Sequence, residues 1–429
     1  MADVPDSNKS DYLYQLSSQK EYGEIVKHIR YHDDPHVRFG AAGILSETIH
    51  AFKSSITPPE QKALVDTVLN DPVNEVRAKV VEILLAVNED AIDNIITQLS
   101  MNPQETPTEQ PYPLVLTHWH ASAKPGLQFL AIVGFGRVGN ASSINKLRTT
   151  IANGSSTDMD LRVLRRAIEE AGEIGNETFV TPIQRQLRRN DDDFPSSADK
   201  QRITAVREAA VEALIEIGTD AAYEALVTAS RSTDENLKQH ALSEIGRFGV
   251  EDTVDLMIDQ LNEKNSEDVR GEAAEGLITS FKETDREKSH EIREKAIQLI
   301  ADETDYDASN EFASIIDESD DVSEQRNAAW LIGQIDDSTE DAADTLSSVI
   351  CDSDDEYLKK IAAGSLTQLD EDDVQPKIAS VLQTVDEDSD AHDIASFVED
   401  NLHDESQEAK RNLVEYTRVT SPSDYGTTE

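Results

Sequence analysis

The sequence contains one cysteine, Cys351, in 429 residues. A single thiol cannot form an internal disulfide or supply a cysteine-based metal cluster, and it fits a reducing compartment. No uninterrupted apolar run approaches the length of a membrane span, and the first ten residues lack the apolar core of a signal peptide. We therefore predict a cytoplasmic protein with no membrane insertion.

Basic residues are also scarce, with 39 Lys and Arg against 86 Asp and Glu, which gives a net charge of −47. The 38% of apolar residues is still sufficient to build folded cores. Because acidic residues are spread along almost the whole chain, the pattern indicates a surface adapted to molar salt and predicts a halophilic archaeal source. At about 1 M salt the screening length is about 3 Å, so net charge alone does not identify a partner.

Apolar residues recur at helical spacing in one repeated frame. In the segment VREAAVEALIEIG, which starts at Val206, Ala210 at plus four and Leu214 at plus eight lie on one helix face. A small residue is usual at plus four and a large one at plus eight, as expected where helices pack closely. The frame begins at Val37, Val76, Leu127, Val163, Val206, Leu237, Val269, Glu324 and Leu358. A second amphipathic helix follows each, so neighbouring hairpins must stack to cover their apolar faces.

The frame V-R-x-x-A-A-x-x-L-x-x-I-G, preceded by Asp, resembles the HEAT-like repeats of the phycobilin-lyase type over residues 33–370. The expected fold is all-α, a right-handed α-solenoid (superhelix) of about nine to ten HEAT-like helical hairpins. Proteins of this family are mostly scaffolds, although bilin lyases and a di-iron deoxyhypusine hydroxylase also belong to it. Haloarchaeal members have been connected with taxis signalling. The resemblance therefore implies a protein–protein interaction scaffold or signalling adaptor, with a bilin-lyase-like enzyme as an alternative.

We predict four segments along the chain. An N-terminal capping helix in residues 1–32 precedes the repeat solenoid at 33–390. A C-terminal cap at 391–418 and a disordered tail at 419–429 follow it.

Two unusually long spacings between repeats indicate insertions. The first, residues 101–125, carries five prolines and is predicted to be a long loop. The second, residues 281–320, is predicted to contain a longer or degenerate repeat. It repeats the frame weakly at Ile292, Arg293, Ala296 and Ile300.

Two motifs suggest enzyme chemistry, and we interpret neither as a site. Gly134, Gly136 and Gly139 spell G-x-G-x-x-G, but they lie within a repeat helix, and no βαβ unit is evident to build a dinucleotide site. The iron-binding branch of the family carries His-Glu pairs on several helices, whereas His290 and Glu291 are the only such pair here. We predict no catalytic residues, no cofactor and no metal.

Charge is distributed unevenly along the chain. Residues 120–190 contain ten basic and six acidic residues, whereas residues 301–429 contain 7 basic and 36 acidic ones. Eight of those ten basic residues are arginine, whose planar, bidentate hydrogen bonds withstand screening better than a diffuse field does. An arginine-rich interruption of an acidic coat indicates a contact site for a protein partner that is itself acidic.

The segment just before these arginines is nearly uncharged and includes Trp119, which we interpret as an apolar anchor for the same partner. The candidate partner-binding residues are His118, Trp119, His120, Arg137, Arg148, Arg162, Arg165, Arg166, Arg185, Arg188 and Arg189. Alternatively, the arginines pair internally with Glu169, Glu170 and Glu173. Nucleic-acid binding, as in HEAT-like DNA glycosylases, is a further alternative, although the acidic flanks would repel phosphates.

Overall fold

The computed structural model describes residues 10–101, 112–154, 156, 159–194, 199–262, 264–284, 286–303, 308–335 and 340–402. Within these ranges the regular structure is helical, with no strand. The α-helices are α1 (Ser10–Ser18), α2 (Tyr22–Tyr31), α3 (Pro35–Glu47), α4 (Ile49–Lys53), α5 (Pro58–Asn70), α6 (Asn74–Val87), α7 (Asp90–Met101), α8 (Tyr112–His120), α9 (Pro125–Val138), α10 (Ala141–Ala152), α11 (Leu161–Ile174), α12 (Val180–Leu187), α13 (Lys200–Ile217), α14 (Asp220–Ser230), α15 (Glu235–Ile245), α16 (Glu251–Gln260), α17 (Glu267–Glu283), α18 (Arg286–Glu303), α19 (Ser309–Glu318), α20 (Val322–Ile332), α21 (Glu340–Asp352), α22 (Glu356–Leu366), α23 (Glu371–Thr384) and α24 (Asp390–Leu402). The all-α prediction is confirmed.

The repeated frame forms the core of the protein. Its helices are α3, α6, α9, α11, α13, α15, α17, α20 and α22. All nine plus-four residues, from Ala41 to Ala362, are 0% exposed, and the plus-eight residues are at most 4% exposed. The frame therefore identifies the helix face on which each repeat packs.

The chain divides into two compact units, Met1–Ile217 and Gly218–Glu429. In the first, α3, α6, α9, α11 and α13 pack side by side, and α2, α5, α8, α10 and α12 pack against them. In the second, α15, α17, α20, α22 and α24 form the corresponding layer, against which α14, α16, α19, α21 and α23 pack. Each unit is thus an α-solenoid of HEAT-like hairpins.

The ends of the frame helices are set by local chemistry. Aspartates accept a hydrogen bond from a first-turn amide, as Asp34 does from His36 (3.0 Å) and Asp234 from Leu237 (3.1 Å). Glycines with positive φ terminate α9 and α11, at Gly139 (58°) and Gly175 (67°). These residues fix where each helix begins and ends.

A buried arginine, one residue after the start of the frame, joins one repeat to the next. Arg38 donates from Nε and Nη2 to the carboxylate of Asp71 at 2.7 and 3.1 Å. Its Nη1 donates to the carbonyl oxygens of His32 and Asp33. The Arg38 and Asp71 side chains are 9% and 4% exposed, so this bidentate pair lies inside the protein.

The second unit contains related arginine–carboxylate pairs, although Arg326 lies two residues after its frame start and Glu311 lies on α19. Arg326 binds Asp355 through Nε at 3.0 Å and Nη2 at 2.5 Å, and Arg270 binds Glu311 at 2.7 Å. Burial alone would raise the pKa of Asp355, but hydrogen bonds from Arg326 and the Leu358 amide hold it below its usual value. The carboxylate therefore stays ionised and caps α22 as well as pairing with the arginine.

Two of the predicted segments need correction. Residues 10–32 form two helices, and α2 packs against α3 as the partner helix of the first hairpin. Residues 112–120, predicted as part of a loop, form α8 because Pro113 lies in the first helical turn, where proline is tolerated. Residues 102–111 lie outside the described residues.

The other segments remain helical. Residues 281–320 include α18, in which Ile292, Arg293 and Ala296 are buried, followed by α19. The G-x-G-x-x-G segment lies within and just after α9, as the repeat frame predicts. The predicted C-terminal cap is described only to residue 402, where α24 ends, and the predicted tail lies outside the described residues.

We expect Asp71→Ala to destabilise the first unit by about 3–5 kcal/mol, because it leaves a buried guanidinium without its carboxylate. Urea and thermal unfolding followed by circular dichroism measure this loss. Glu24→Ala, which removes the exposed carboxylate paired with Lys27, is the control and should leave stability unchanged. Equal losses in the two variants would contradict the role assigned to the buried pair.

Candidate functional site

The predicted aromatic anchor lies in the core and not on the surface. Trp119 is 1% exposed, and with Val115 and Leu116 it forms the buried face of α8, which packs on α9. Its spacing from those two residues is helical, and this was the signal that could have identified it as a core residue. The interpretation of Trp119 as an exposed partner anchor is therefore wrong.

The histidines flanking Trp119 differ in exposure. His118 is exposed, whereas His120 is half-buried and lies edge-on to the ring of Phe135. His120 Nε2 lies 2.8 Å from Thr150 Oγ1, which itself donates to the Lys146 carbonyl oxygen. Because the hydroxyl proton is already used, His120 Nε2 must be the donor. Burial, followed by the charge of Lys146, lowers the pKa of His120, so this histidine is a neutral link between α8 and α10.

Arg137 and Arg166 belong to a network that joins three helices. Arg137 Nη2 lies 3.1 Å from Asp93 Oδ1 on α7. Arg166 Nη2 lies 2.7 Å from Glu170 Oε1 and 3.9 Å from the same Asp93 oxygen. The two arginines therefore hold α7, α9 and α11 together through carboxylates of this chain.

Glu170 is the buried centre of this network, at 2% exposure. Burial raises its pKa to about 7 although the charge of Arg166 opposes the shift. A Cβ atom built on Gly136 would lie 1.5 Å from Glu170 Oε2, so only glycine leaves room for this carboxylate against α9. Gly136 of the glycine motif therefore serves packing.

Three more of the candidate arginines bind groups within the chain. Arg162 pairs with Asp160 at 2.7 Å, and Arg165 with Glu169 at 2.6 Å. Arg189 donates to the Gln186 side chain and to the Asp193 carbonyl oxygen, and its guanidinium lies 3.9 Å from the ring centroid of Phe194. These contacts are local, and they occupy much of the hydrogen-bonding capacity of the three side chains.

Arg148, Arg185 and Arg188 differ from the other candidates. All three are exposed, and within the described part of the chain none has a carboxylate partner. Arg148 donates only to Asn145, at 2.8 Å. Arg185 and Arg188 lie three residues apart at the end of α12, on the same helix face. Their hydrogen-bonding groups are therefore available to a ligand.

Arg148 and Arg185 line one groove of about 470 Å³ between α10 and α12. Its other lining residues are Thr149, Ala152, Thr178, Thr181 and Pro182. The groove thus combines two guanidinium groups and three hydroxyl groups with the apolar surface of alanine and proline. Sequence analysis identified the arginines but missed the threonines and Pro182, because they carry no charge and come from different elements.

The described residues contain no group of three or more His, Cys, Asp and Glu side chains placed to hold a metal ion. They also contain no helix that is both long and apolar enough to span a membrane.

Comparison with known proteins identifies the repeat type in part of the chain. The family model for HEAT repeats matches residues 196–278. No curated protein matches the chain.

Solved structures with similar helical arrangements include the karyopherin Kap121p, with a TM-score of 0.41 and 12% identity over 97% of this chain and 44% of that one. The complex of CpcE and CpcF of phycocyanin lyase from Nostoc sp. PCC7120 gives a TM-score of 0.30 and 18% identity over 68% and 95% of the two chains. A structure concerned with the interaction between cadherin and beta-catenin gives a TM-score of 0.44 and 14% identity over 91% of this chain and 87% of that one. The chain spans about half the length of the Kap121p structure, since it covers 52% of that chain in a further match.

We expect Glu170→Gln to change how stability depends on pH. The pKa of Glu170 is about 7 in the folded protein, whereas a glutamate in the unfolded chain has its ordinary value of 4.5. The folded state therefore binds this proton more tightly than the unfolded state does. Wild-type stability relative to the variant should therefore fall as pH rises from about 4.5 to about 7, by about 3 kcal/mol at most.

Thermal unfolding at constant molar salt, measured across this pH range, tests the expectation. Glu169→Gln, which removes a second carboxylate beside Arg166, is the matched control. The assignment to Glu170 would be contradicted if the stability of Glu170→Gln fell with pH as steeply as that of the wild type. It would also be contradicted if both variants lost this pH dependence equally.

Proposed function

We propose that this chain is a non-enzymatic scaffold that binds an acidic protein through the surface formed by Arg148, Arg185 and Arg188. The observation that carries the proposal is the exposed groove between α10 and α12, where two arginines have no carboxylate of their own. In a chain of net charge −47, a groove that brings two such arginines together is a local interruption of the acidic surface.

The chemistry of the groove favours carboxylates as its ligands. Guanidinium groups bind carboxylates through paired hydrogen bonds, which depend on contact geometry and so persist in high salt. Ala152 and Pro182 add apolar surface, which salt does not weaken. A peptide segment that alternates acidic and apolar residues fits this combination.

We place this scaffold in the cytoplasm of a halophilic archaeon, in a signalling complex such as that of taxis. The setting rests on the acidic composition and on the resemblance of the repeats to the phycobilin-lyase type. His118 lies on the exposed side of α8 and extends the proposed surface. The remaining candidates support it by fixing the surrounding helices through their contacts within the chain: Arg137, Arg162, Arg165, Arg166 and Arg189.

We expect the triple variant Arg148→Glu, Arg185→Glu, Arg188→Glu to bind acidic peptide at least about a hundredfold more weakly than wild type. The probe is a fluorescein-labelled peptide of alternating Asp and Leu, measured by anisotropy in about 1 M KCl, where long-range attraction is screened. A peptide with Asn in place of Asp controls for the carboxylates.

Arg231→Glu provides the matched control on the protein side, because Arg231 is an exposed arginine at the end of α14 in the other unit. It should leave binding unchanged. Unaltered peptide binding by the folded triple variant would refute the proposal. Duplex DNA that binds wild type but not the triple variant, with steep salt dependence, would instead support nucleic-acid binding.

A further inference from the structure

Arg77 is a buried cation with unused donors. It is 0% exposed, and its Nη1 donates to Asn74 Oδ1 at 3.0 Å. Among the described residues, Nε and Nη2 have no hydrogen-bond partner. Burial lowers the pKa of Arg77 to about 10, with the charge of Asp71 opposing the shift, so the side chain is still cationic at neutral pH. Two buried donors are therefore left without acceptors, and the guanidinium has no carboxylate hydrogen-bonded to it among the described residues.

The repeat register shows which group is missing. Arg77 occupies the frame position of Arg38, one residue after the first frame residue, and Arg38 binds Asp71. Asp71 lies five residues before the next frame start, and its Oδ1 accepts from the amide two residues on, at 2.8 Å. The corresponding residue for Arg77 is Ser122, whose Oγ accepts from the Lys124 amide at 3.2 Å. The turn is the same, but a hydroxyl replaces the carboxylate.

The beginning of α9 lies against the backbone of α6 beside Arg77. A Cβ atom built on Gly126 would lie 2.6 Å from the carbonyl oxygen of Ala78, the residue after Arg77. Only glycine permits this approach of the first turn of α9 to α6. Pro125 has no N–H, and the Leu127 and Gln128 amides donate to the Lys124 carbonyl oxygen, so the Gly126 amide and the helix dipole are what favour a negative charge at this end.

We propose that Arg77 and the first turn of α9 bind a chloride ion, at the position corresponding to the Asp71 carboxylate beside Arg38. Serine is smaller than aspartate by most of a carboxylate group, and the proposed anion takes the place of the carboxylate that this position lacks. Chloride accepts hydrogen bonds from Nε and Nη2 together and neutralises the guanidinium. A water molecule would accept hydrogen bonds but leave the buried charge unpaired.

Bromide replaces chloride chemically and can be located by anomalous diffraction. Crystals of the full chain grown in KBr should show an anomalous peak within hydrogen-bonding distance of Arg77 Nε and Nη2. A map with no peak there, or with density that scatters as water only, would overturn the proposal.

Thermal unfolding tests the same site in solution, by comparing KCl with potassium methanesulfonate at equal concentration. Methanesulfonate is the reference salt because its anion is too large to replace one carboxylate. The midpoint of thermal unfolding of the wild type should be about 2–4 °C lower in methanesulfonate than in KCl. Ser122→Asp supplies the missing carboxylate and should show no difference between the two salts. Arg77→Met should remove this difference as well. The same anion dependence in all three proteins would refute chloride binding at Arg77, and the bromide map decides if a variant does not fold.

Discussion

The pairing of a buried arginine with a carboxylate of the following repeat is the constraint on which the hairpin stacks depend. Desolvating a guanidinium is costly, so a buried arginine requires an acceptor with good geometry. Arg38, Arg270 and Arg326 have such acceptors. Asp71 and Asp355 come from the turn before the next frame helix, whereas Glu311 comes from α19. Apolar packing holds the hairpins together, and these ion pairs add directional contacts between neighbouring repeats.

The sequence predicted the repeats well because their information is local. A residue such as Ala210 is recognisable as a packing position from neighbours four and eight residues away, and its burial follows from helical geometry. Prediction failed where one residue type has two uses. Proline suggests a loop, yet Pro113 lies in the first turn of α8. Tryptophan on a nearly uncharged segment suggests a contact site, yet Trp119 is in the core.

The arginine-rich surface was predictable as a region but not residue by residue. Whether an arginine is available depends on carboxylates brought close by the fold. Arg166 meets Asp93, more than seventy residues earlier in the chain, whereas Arg148 meets no carboxylate among the described residues. The groove itself depends on α10 and α12 lying side by side. Composition therefore locates the region where the acidic coat is interrupted, and three-dimensional pairing separates structural arginines from available ones.

The position of Asp71 also bears on how this protein can be shortened. Helix boundaries suggest that a fragment could end at Asn70, where α5 ends. Such a fragment would retain Arg38 in its last hairpin but lose the carboxylate that compensates it. A boundary placed a few residues later, beyond Asp71 and its turn, keeps the pair intact. Stable pieces of this protein are therefore defined by complete ion pairs and not by complete helices.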